Sequence, residues 1–143
     1  MNQSKEAFYE ALLAHINHPG EFSSYNNIRM TRVAEHYAEG ELTIRPESLN
    51  YLGYVHGGCL AALADTVAGV AVCTSGMGCV TLNYGLNFLR PACGSKIKCV
   101  ARPEKTGKTI CVYQIALTDD QERMVATGEF TFFITKPLEL PQR

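Results

Sequence analysis

One segment of the sequence combines the residue types that acyl-transfer chemistry needs. Residues 55–73 are almost wholly apolar except for one carboxylate, Asp65, and the run begins around His56-Gly57-Gly58. Two glycines at a helix start let a ligand approach the backbone closely, and the first amides of a helix have no intrahelical acceptors. With the positive end of the helix dipole behind them, these amides suit a developing oxyanion. The segment therefore predicts an oxyanion-binding helix start and an acid on one element.

Each feature also has a purely structural interpretation. Asp65 could be a buried carboxylate that backbone amides or a hydroxyl satisfy, although an unpaired ionised carboxylate is costly in an apolar interior. The two glycines could form a turn that binds nothing. Asp65 alone does not decide between site and structure, whereas its combination with the glycines favours a site.

The spacing between the two features limits how one chain could use them. Gly57 and Asp65 are eight positions apart, which is about 12 Å along a regular helix. Both must come within about 3 Å of the same carbonyl centre to bind its oxygen or to deliver water. The lean of an aspartate side chain toward the helix N-terminus closes only a small part of that gap. A two-fold dimer that sets Gly57 of one chain opposite Asp65 of the other is therefore predicted, provided that the helix begins regularly at Gly57.

The surrounding sequence predicts an α+β domain with a mostly antiparallel sheet. Helices are predicted over about 4–16 and, as a long central element, over about 57–74. Alternating apolar residues predict a strand over 28–34 and a second strand after a turn at 38–41. Four further alternating segments predict strands over 79–91, 95–105, 108–119 and 123–135. A helix that is apolar on every side, with strands before and after it, predicts a sheet curled around a buried helix.

Composition and charge exclude several classes of protein. The 143 residues, of which 46% are hydrophobic and 19% charged, fit one soluble domain over 1–143. A net charge of −1 provides no basic surface for nucleic acid or an anionic membrane. There is no signal-peptide profile, and the segment around Asp65 is too short and too rich in Ala and Gly to span a bilayer. A cytoplasmic protein that binds neither nucleic acid nor membrane is expected.

No motif in the chain predicts a metal site or a P-loop. The six cysteines form no Cys-x-x-Cys pair and are expected to be free thiols. His15 and His18 have no clustered acid or thiol near them in the sequence, so no zinc site is expected. Residues 104–109, Glu-Lys-Thr-Gly-Lys-Thr, resemble the end of a P-loop, but Arg102 stands where that motif requires glycine. A hairpin turn is the structural interpretation of this segment.

Four motifs occur together in this chain: His-Gly-Gly at 56–58, Leu-Ala-Asp-Thr at 63–66, Leu-Asn-Phe-Leu-Arg-Pro-Ala at 86–92 and Lys-Thr-Gly-Lys-Thr at 105–109. In this combination the chain resembles the hotdog-fold acyl-CoA thioesterases over residues 25–135, and most of all their phenylacetate-pathway (PaaI-type) branch. The resemblance implies an antiparallel sheet wrapped around a central helix, active sites at the interface of two chains, and dimers that form a dimer of dimers. It implies no cofactor, because coenzyme A is part of the substrate.

The resemblance also assigns roles to individual residues. Asp65 matches the catalytic acid, and Gly57 matches the glycine whose amide polarises the thioester carbonyl. Asn50 matches an asparagine that holds this carbonyl or the hydrolytic water. Thr81 departs from the pattern, because relatives carry a serine there that positions the water. His56 is expected to order the loop, since the proton acceptor of the family is the carboxylate.

Further residues are implied for the CoA part of the substrate. The resemblance places the turn at 105–109 along the CoA nucleotide, and whether the turn does more than join two strands stays open. Two positions on the preceding strand match residues that face CoA in relatives. The residues expected to contact CoA are Asn83, Phe88, Lys105, Gly107, Lys108 and Thr109.

The predicted activity is hydrolysis of an acyl-CoA thioester to a carboxylic acid and CoA. Asp65 of the partner subunit is expected to act as a general base on water, and direct attack by Asp65 to form a mixed anhydride stays open. One alternative is a non-catalytic acyl-CoA-binding or sensing protein with this fold. A hotdog dehydratase is disfavoured, because His56 and Asp65 are nine positions apart on one element and a His-Phe-Pro-Gly loop is absent. The identity of the acyl group does not follow from the sequence.

Overall fold

The chain forms one antiparallel sheet with a long helix packed against it. The computed structural model describes residues 3–141, so the outermost residues of the predicted domain 1–143 lie outside the described part. The helices are α1 (Gln3–Ile16), α2 (Phe22–Tyr25) and α3 (Gly57–Cys73). The strands are β1 (Ile28–Ala34), β2 (Tyr37–Thr43), β3 (Met77–Phe88), β4 (Lys96–Thr106), β5 (Ile110–Asp119) and β6 (Met124–Pro137). The sheet order is β1-β2-β4-β5-β6-β3, which confirms the predicted α+β class with an antiparallel sheet around a central helix.

Helix α3 is buried along the side that faces the sheet. It contacts all six strands, and Leu63, Val67 and Ala68 on this side are fully buried. Burying one Leu or Val side chain contributes about 1.5–3 kcal/mol, so the core holds α3 in a fixed position on the sheet. Neither α3 nor another helix within residues 3–141 is long and apolar enough to cross a membrane. Because α3 carries both Gly57 and Asp65, the core also fixes where these two residues lie.

The turn between the first two strands was predicted at the wrong place. Residues 38–41 lie within β2, and the chain reverses instead at Glu35 and His36; His36 has a left-handed φ of 54°. A Cβ at Gly40 would lie only 2.7 Å from Cγ2 of Val67. The glycine therefore marks the close approach of α3 to the strand, which is one of the reasons that glycine occurs inside strands.

Strand β3 is an edge strand with an unpaired side. It pairs only with β6 in the sheet. Its large side chains Val80, Leu82, Tyr84 and Phe88 are each between 51% and 53% exposed. An unpaired edge that also presents apolar side chains is a template for pairing with another chain. This edge lies beside the part of α3 that carries Asp65.

Candidate active site

The first turn of α3 leaves one amide without an acceptor. His56 is the N-cap, and its Nδ1 accepts a hydrogen bond from the Gly58 amide at 2.8 Å. The amides of Cys59 and Leu60 donate to the carbonyl oxygen of His56 at 2.9 Å and 3.2 Å. Within residues 3–141 no acceptor is found for the amide of Gly57. The helix therefore offers a single free donor at Gly57, and the ring of His56 is used to hold the helix start in place.

A cavity of about 440 Å³ lies beside this donor. Asn50, Gly57 and Phe88, three residues predicted for the site, all line it. The ring of Phe88 packs against Gly57, because a Cβ at this glycine would lie 3.5 Å from Cζ of the ring. We call Asn50, Gly57 and Phe88 the amide half-site. His56 is not among the residues that line this cavity.

The side chain of Asn50 is oriented by the loop that follows it. Its Oδ1 accepts hydrogen bonds from the amides of Leu52 at 2.9 Å and Tyr54 at 3.1 Å. The backbone of Asn50 is also paired with that of Tyr54, through an amide-to-carbonyl hydrogen bond of 2.7 Å. With Oδ1 occupied, the Nδ2 amide is the group left to interact with a ligand. A donor in this place can bind a carbonyl oxygen, so the geometry favours that role over acceptance from water.

The predicted catalytic acid forms a hydrogen-bonded pair with a residue of β3. The hydroxyl of Thr81 donates to Oδ1 of Asp65 at 2.7 Å. Asp65 is half-buried and Thr81 is exposed, so the carboxylate is not sealed in the core. No second hydrogen bond or ion pair reaches the Asp65 carboxylate from the described part of the chain. Its Oδ2 is therefore available to a water or a substrate. We call Asp65 and Thr81 the carboxylate half-site.

A thiol near this carboxylate is not set up as a nucleophile. Cys79 precedes Thr81 by two residues, and its Sγ lies 3.7 Å from the carbonyl oxygen of Gly69 on α3. The pKa of Cys79 is raised, chiefly by a hydrogen bond with the thiol of Cys73 and next by burial. The negative charge of Asp65 raises it further. Since the thiolate is the nucleophilic form of cysteine, the raised pKa keeps this thiol in its less reactive, protonated form.

The two half-sites of one chain lie far apart. Helix α3 begins at Gly57 with a formed cap, so the eight positions to Asp65 do correspond to about 12 Å. Thr81 and Phe88 are seven residues apart on β3, which is about 20 Å of extended strand. The Gly57 amide and the Asp65 carboxylate of one chain therefore cannot reach the same carbonyl group.

A β-bulge determines which residues of β3 face the helix. Thr81 and Phe88 are an odd number of residues apart and would lie on opposite faces of a regular strand. The register shift between Thr81 and Asn83 inserts one extra residue, so both Thr81 and Phe88 face α3, as their contacts show. Asn83 lies beyond the bulge on the outer face of the sheet. The structure thus does not bring Asn83 together with Phe88, although both were expected to face CoA.

The predicted CoA-binding turn lies near the other end of α3. Gly107 and Lys108 belong to the tight hairpin between β4 and β5, and they line a second cavity of about 360 Å³ together with Met77. Met77 is four residues before Thr81 on β3, which is about 13 Å of extended strand, so this cavity lies nearer to the carboxylate half-site than to the amide half-site. The other two predicted residues of the turn, Lys105 and Thr109, flank Gly107 and Lys108 in the sequence.

Sequence reasoning gave no role to Arg90, which also lines the amide cavity. Arg90 belongs to the segment 86–92 that carried the family resemblance. Nothing in the spacing of the sequence indicates that the chain returns to Gly57 after β3. The contact of Phe88 with Gly57 is what brings this part of the chain to the helix start.

Comparison with known proteins identifies the family. The family model named Thioesterase superfamily matches residues 52–126, just over half of the chain, and this range includes Gly57, Asp65 and Thr81. The chain belongs to the thioesterase superfamily. ComA2 of Bacillus subtilis (strain 168), a proposed esterase, is 30% identical over 111 residues, which cover 73% of this chain and 88% of ComA2.

One further relative, compared by sequence and by structure, refines this assignment. The acyl-coenzyme A thioesterase PaaI of Escherichia coli (strain K12) is 32% identical over 93 residues, 64% of this thioesterase and 66% of PaaI. The structure of E. coli PaaI matches with a TM-score of 0.82 at 24% identity, over 90% of this chain and 96% of that chain, which shows a shared fold. The predicted resemblance to hotdog-fold thioesterases of the PaaI type is confirmed, and the protein is an enzyme of the thioesterase class.

A hypothetical thioesterase from Streptococcus pneumoniae TIGR4, whose structure contains coenzyme A, matches with a TM-score of 0.75 and 27% identity over 79% of this chain and 89% of that chain. The same bacterial protein has been solved as an aspartate-to-alanine mutant and as a threonine-to-alanine mutant, at positions sixteen residues apart. Asp65 and Thr81 have the same spacing in this thioesterase.

Proposed function

We propose that this thioesterase hydrolyses acyl-CoA thioesters to a carboxylic acid and free CoA, in a site shared by two copies of the chain. The observation that carries the proposal is the separation of two complementary half-sites. Gly57 offers an amide without an acceptor, and Asp65 offers a carboxylate with a free oxygen, too far away to act on the same carbonyl. A two-fold axis would give each half-site its complement from the other copy.

The amide half-site would bind the oxygen of the thioester carbonyl. The Gly57 amide stands at the positive end of the α3 dipole, and the Nδ2 of Asn50 is a second donor at the same cavity. Negative charge develops on this oxygen when water attacks. A preorganised donor of this kind is typically worth about 3 kcal/mol in the transition state.

The carboxylate half-site would activate the attacking water. The Thr81 hydroxyl uses its proton to donate to Oδ1 of Asp65. The lone pairs of the hydroxyl oxygen therefore remain able to accept a hydrogen bond from water. The same water can donate its other proton to Oδ2, which then acts as the general base. The proton passes from the carboxylate to the CoA thiolate as the carbon–sulfur bond breaks. The threonine and aspartate that were substituted in the S. pneumoniae thioesterase have the same spacing, which supports this pairing.

Direct attack by Oδ2 of Asp65 is the second chemical route. It would form a mixed anhydride between Asp65 and the acyl group, which water then hydrolyses. A single turnover in ¹⁸O-labelled water tests for an anhydride that water opens at the Asp65 carbonyl. General-base catalysis places the label in the carboxylic acid product, whereas an anhydride opened at the Asp65 carbonyl would leave the label on Asp65, detectable by mass spectrometry of the peptide.

The shared site also predicts how two copies pair. For the carboxylate half-site around Thr81 to meet the partner subunit's Phe88, two β3 edges must run antiparallel with the two-fold axis near Tyr84 and Gly85. The unpaired edge and its half-exposed apolar side chains support such a pairing. A Cβ at Gly85 would meet no atom within 4 Å, so Gly85→Cys is expected to fold and to form a disulfide-linked dimer under oxidation.

The cross-linking experiment needs two comparisons. Wild-type protein reports the background from the six native thiols. Glu35→Cys places a thiol at the turn between β1 and β2, on the opposite edge of the sheet, and is expected to give no more covalent dimer than wild type. Equal cross-linking by Glu35→Cys and Gly85→Cys would contradict pairing through β3.

The direct test of the activity is release of free thiol from a panel of acyl-CoAs, followed with a thiol reagent. The panel contains short aliphatic, medium aliphatic and aryl acyl groups, since the relatives include a phenylacetate-operon protein. We expect turnover with at least one class, and no cofactor beyond the CoA that the substrate carries is expected to be required. CoA binding without thiol release from any substrate would support the alternative, a non-catalytic acyl-CoA-binding protein.

A further inference from the structure

Two thiols lie next to each other between the C-terminal end of α3 and strand β3. Sγ of Cys79 lies 3.7 Å from the carbonyl oxygen of Gly69. In a helix this oxygen also accepts the amide four positions further on, which belongs to Cys73, the last residue of α3. The thiols of Cys73 and Cys79 share a hydrogen bond. This contact lies within one copy of the chain, between β3 and α3, and it does not involve the free edge of β3.

The shared hydrogen bond gives the two thiols different reactivities. It lowers the pKa of Cys73, against the opposite effect of burial, and it raises the pKa of Cys79. Cys73 is therefore the thiol that loses its proton more readily, and Cys79 is its protonated neighbour. A cysteine with thiolate character beside a second cysteine is the arrangement found in redox-sensing proteins.

A small oxidant can approach the two thiols through the cavity at the hairpin between β4 and β5. Both thiols are half-buried. The cavity is lined by Val72, which precedes Cys73 in the chain, and by Ile134, the neighbour of Cys79 on β6. Its volume of about 360 Å³ is far more than a hydrogen peroxide molecule needs. The pair is therefore close to an open path from solvent.

We propose that Cys73 and Cys79 form a site of reversible oxidation, at which a hydroperoxide converts the two thiols into a disulfide that ties β3 to α3. The Cys73 thiolate attacks one peroxide oxygen, the O–O bond breaks, and Cys73 becomes a sulfenic acid. The sulfur of Cys79 then attacks the Cys73 sulfur, and the thiol proton leaves with the hydroxyl group as water. With hydrogen peroxide, the two thiols lose two protons and two electrons in total, and two water molecules form. A thiol reductant reverses the change.

The disulfide is expected to disturb the carboxylate half-site, an effect that rests on the proposed function. A disulfide holds its sulfur atoms about 2.05 Å apart, closer than two thiols that share a hydrogen bond. Cys79 must therefore move toward α3. Thr81 follows two residues later, about 7 Å along the strand, and donates to Asp65 at 2.7 Å. We expect the movement to break this hydrogen bond and to lower kcat about tenfold.

The oxidation site is tested without measuring activity. After treatment with hydrogen peroxide, free thiols are alkylated with one reagent, and the thiols that dithiothreitol releases are labelled with a second. We expect tandem mass spectrometry to find the second label on Cys73 and Cys79 in wild type, and on neither in Cys79→Ser. Cys93→Ser, which removes an exposed thiol outside the pair, is the matched control and should be labelled as wild type is. Labelling of a different pair of cysteines, or of none, would overturn the proposal.

The effect on turnover is followed by the loss of thioester absorbance, because peroxide and dithiothreitol both interfere with a thiol reagent. We expect oxidation to lower kcat in wild type and in Cys93→Ser, dithiothreitol to restore it, and Cys73→Ser and Cys79→Ser not to respond. An unchanged kcat in the disulfide form, or an equal response of Cys79→Ser, would contradict the coupling to Asp65. Absence of turnover by the untreated protein with every acyl-CoA would instead contradict the proposed function, while the labelling experiment would still decide whether the disulfide forms.

Discussion

Each half-site has one residue on helix α3, Gly57 or Asp65, but the two half-sites are built in different ways. The donor of the amide half-site is a backbone N–H, placed by the helix start and by the His56 cap. The carboxylate half-site consists of two side chains, one on α3 and one on an edge strand, joined by a single hydrogen bond. A backbone donor tolerates many side-chain changes, whereas a side-chain base is lost with one substitution.

Removal of the base should have the largest effect. Asp65→Asn keeps the shape of the side chain and the hydrogen bond from Thr81 but removes the charge that accepts a proton. We expect kcat to fall about a hundred- to ten-thousandfold, with CoA affinity measured by calorimetry unchanged. Turnover close to that of wild type would show that Asp65 is not the base.

Removal of the free amide should come next, and the helix start allows a clean comparison. Proline is well tolerated at the first helical position, and the preceding His56 has the extended φ of −60° and ψ of 133° that proline requires. Gly57→Pro therefore removes the N–H without breaking the helix, and we expect kcat to fall about a hundred- to a thousandfold.

Gly57→Ala is the matched variant that keeps the donor. Its Cβ would lie 3.5 Å from the ring of Phe88, an ordinary contact. We expect the alanine variant to keep most of the wild-type kcat. If Gly57→Ala lost as much kcat as Gly57→Pro, the loss would come from the added side-chain volume at position 57 and not from removal of the N–H.

The hydroxyl of Thr81 should contribute less than the carboxylate it contacts. Thr81→Val keeps the size of the side chain and removes the hydrogen bond to Asp65, so we expect kcat to fall about tenfold. Thr81→Ser keeps the hydroxyl and should stay within about threefold of wild type. Equal activity of the valine and serine variants, measured by thiol release, would remove Thr81 from the mechanism.

Loss of the helix cap should have the smallest effect, and mainly on stability. His56→Ala removes the acceptor of the Gly58 amide, which should cost about 1 kcal/mol of unfolding free energy and lower Tm by a few degrees. His56→Asn supplies another capping acceptor and should recover most of this loss. A large fall in kcat for His56→Asn would give the ring a chemical role that the structure does not require.

The fold was predictable from the sequence for identifiable reasons, and Asp65 stood out as the one carboxylate in an apolar helix. The apolar run of α3 and the alternating apolar residues of β4, β5 and β6 correspond to buried positions. The irregular features were not accessible. Gly40 was assigned to a turn. A glycine that leaves room for the side chain of Val67 cannot be distinguished, from the sequence, from a glycine in a turn.

Side-chain direction on β3 was the main limit for the site. One inserted residue after Thr81 reverses which side chains of β3 point toward α3. A regular alternation therefore gives the wrong face for Asn83, and it does not predict that Thr81 and Phe88 share a face. Arg90 was missed for a related reason: it reaches the amide cavity only because β3 ends beside the start of α3.

The most direct test of a shared site uses two inactive variants together. The Asp65→Asn and Gly57→Pro chains are given different affinity tags and are co-expressed. The hybrid dimers, which carry both tags, are then isolated by two purification steps. One of the two composite sites in each hybrid then has a native Gly57 and a native Asp65, so about half of the wild-type activity per dimer should return. If each chain instead held a complete site, every site in the hybrid would carry one defect, and the activity would stay as low as that of the two variants alone.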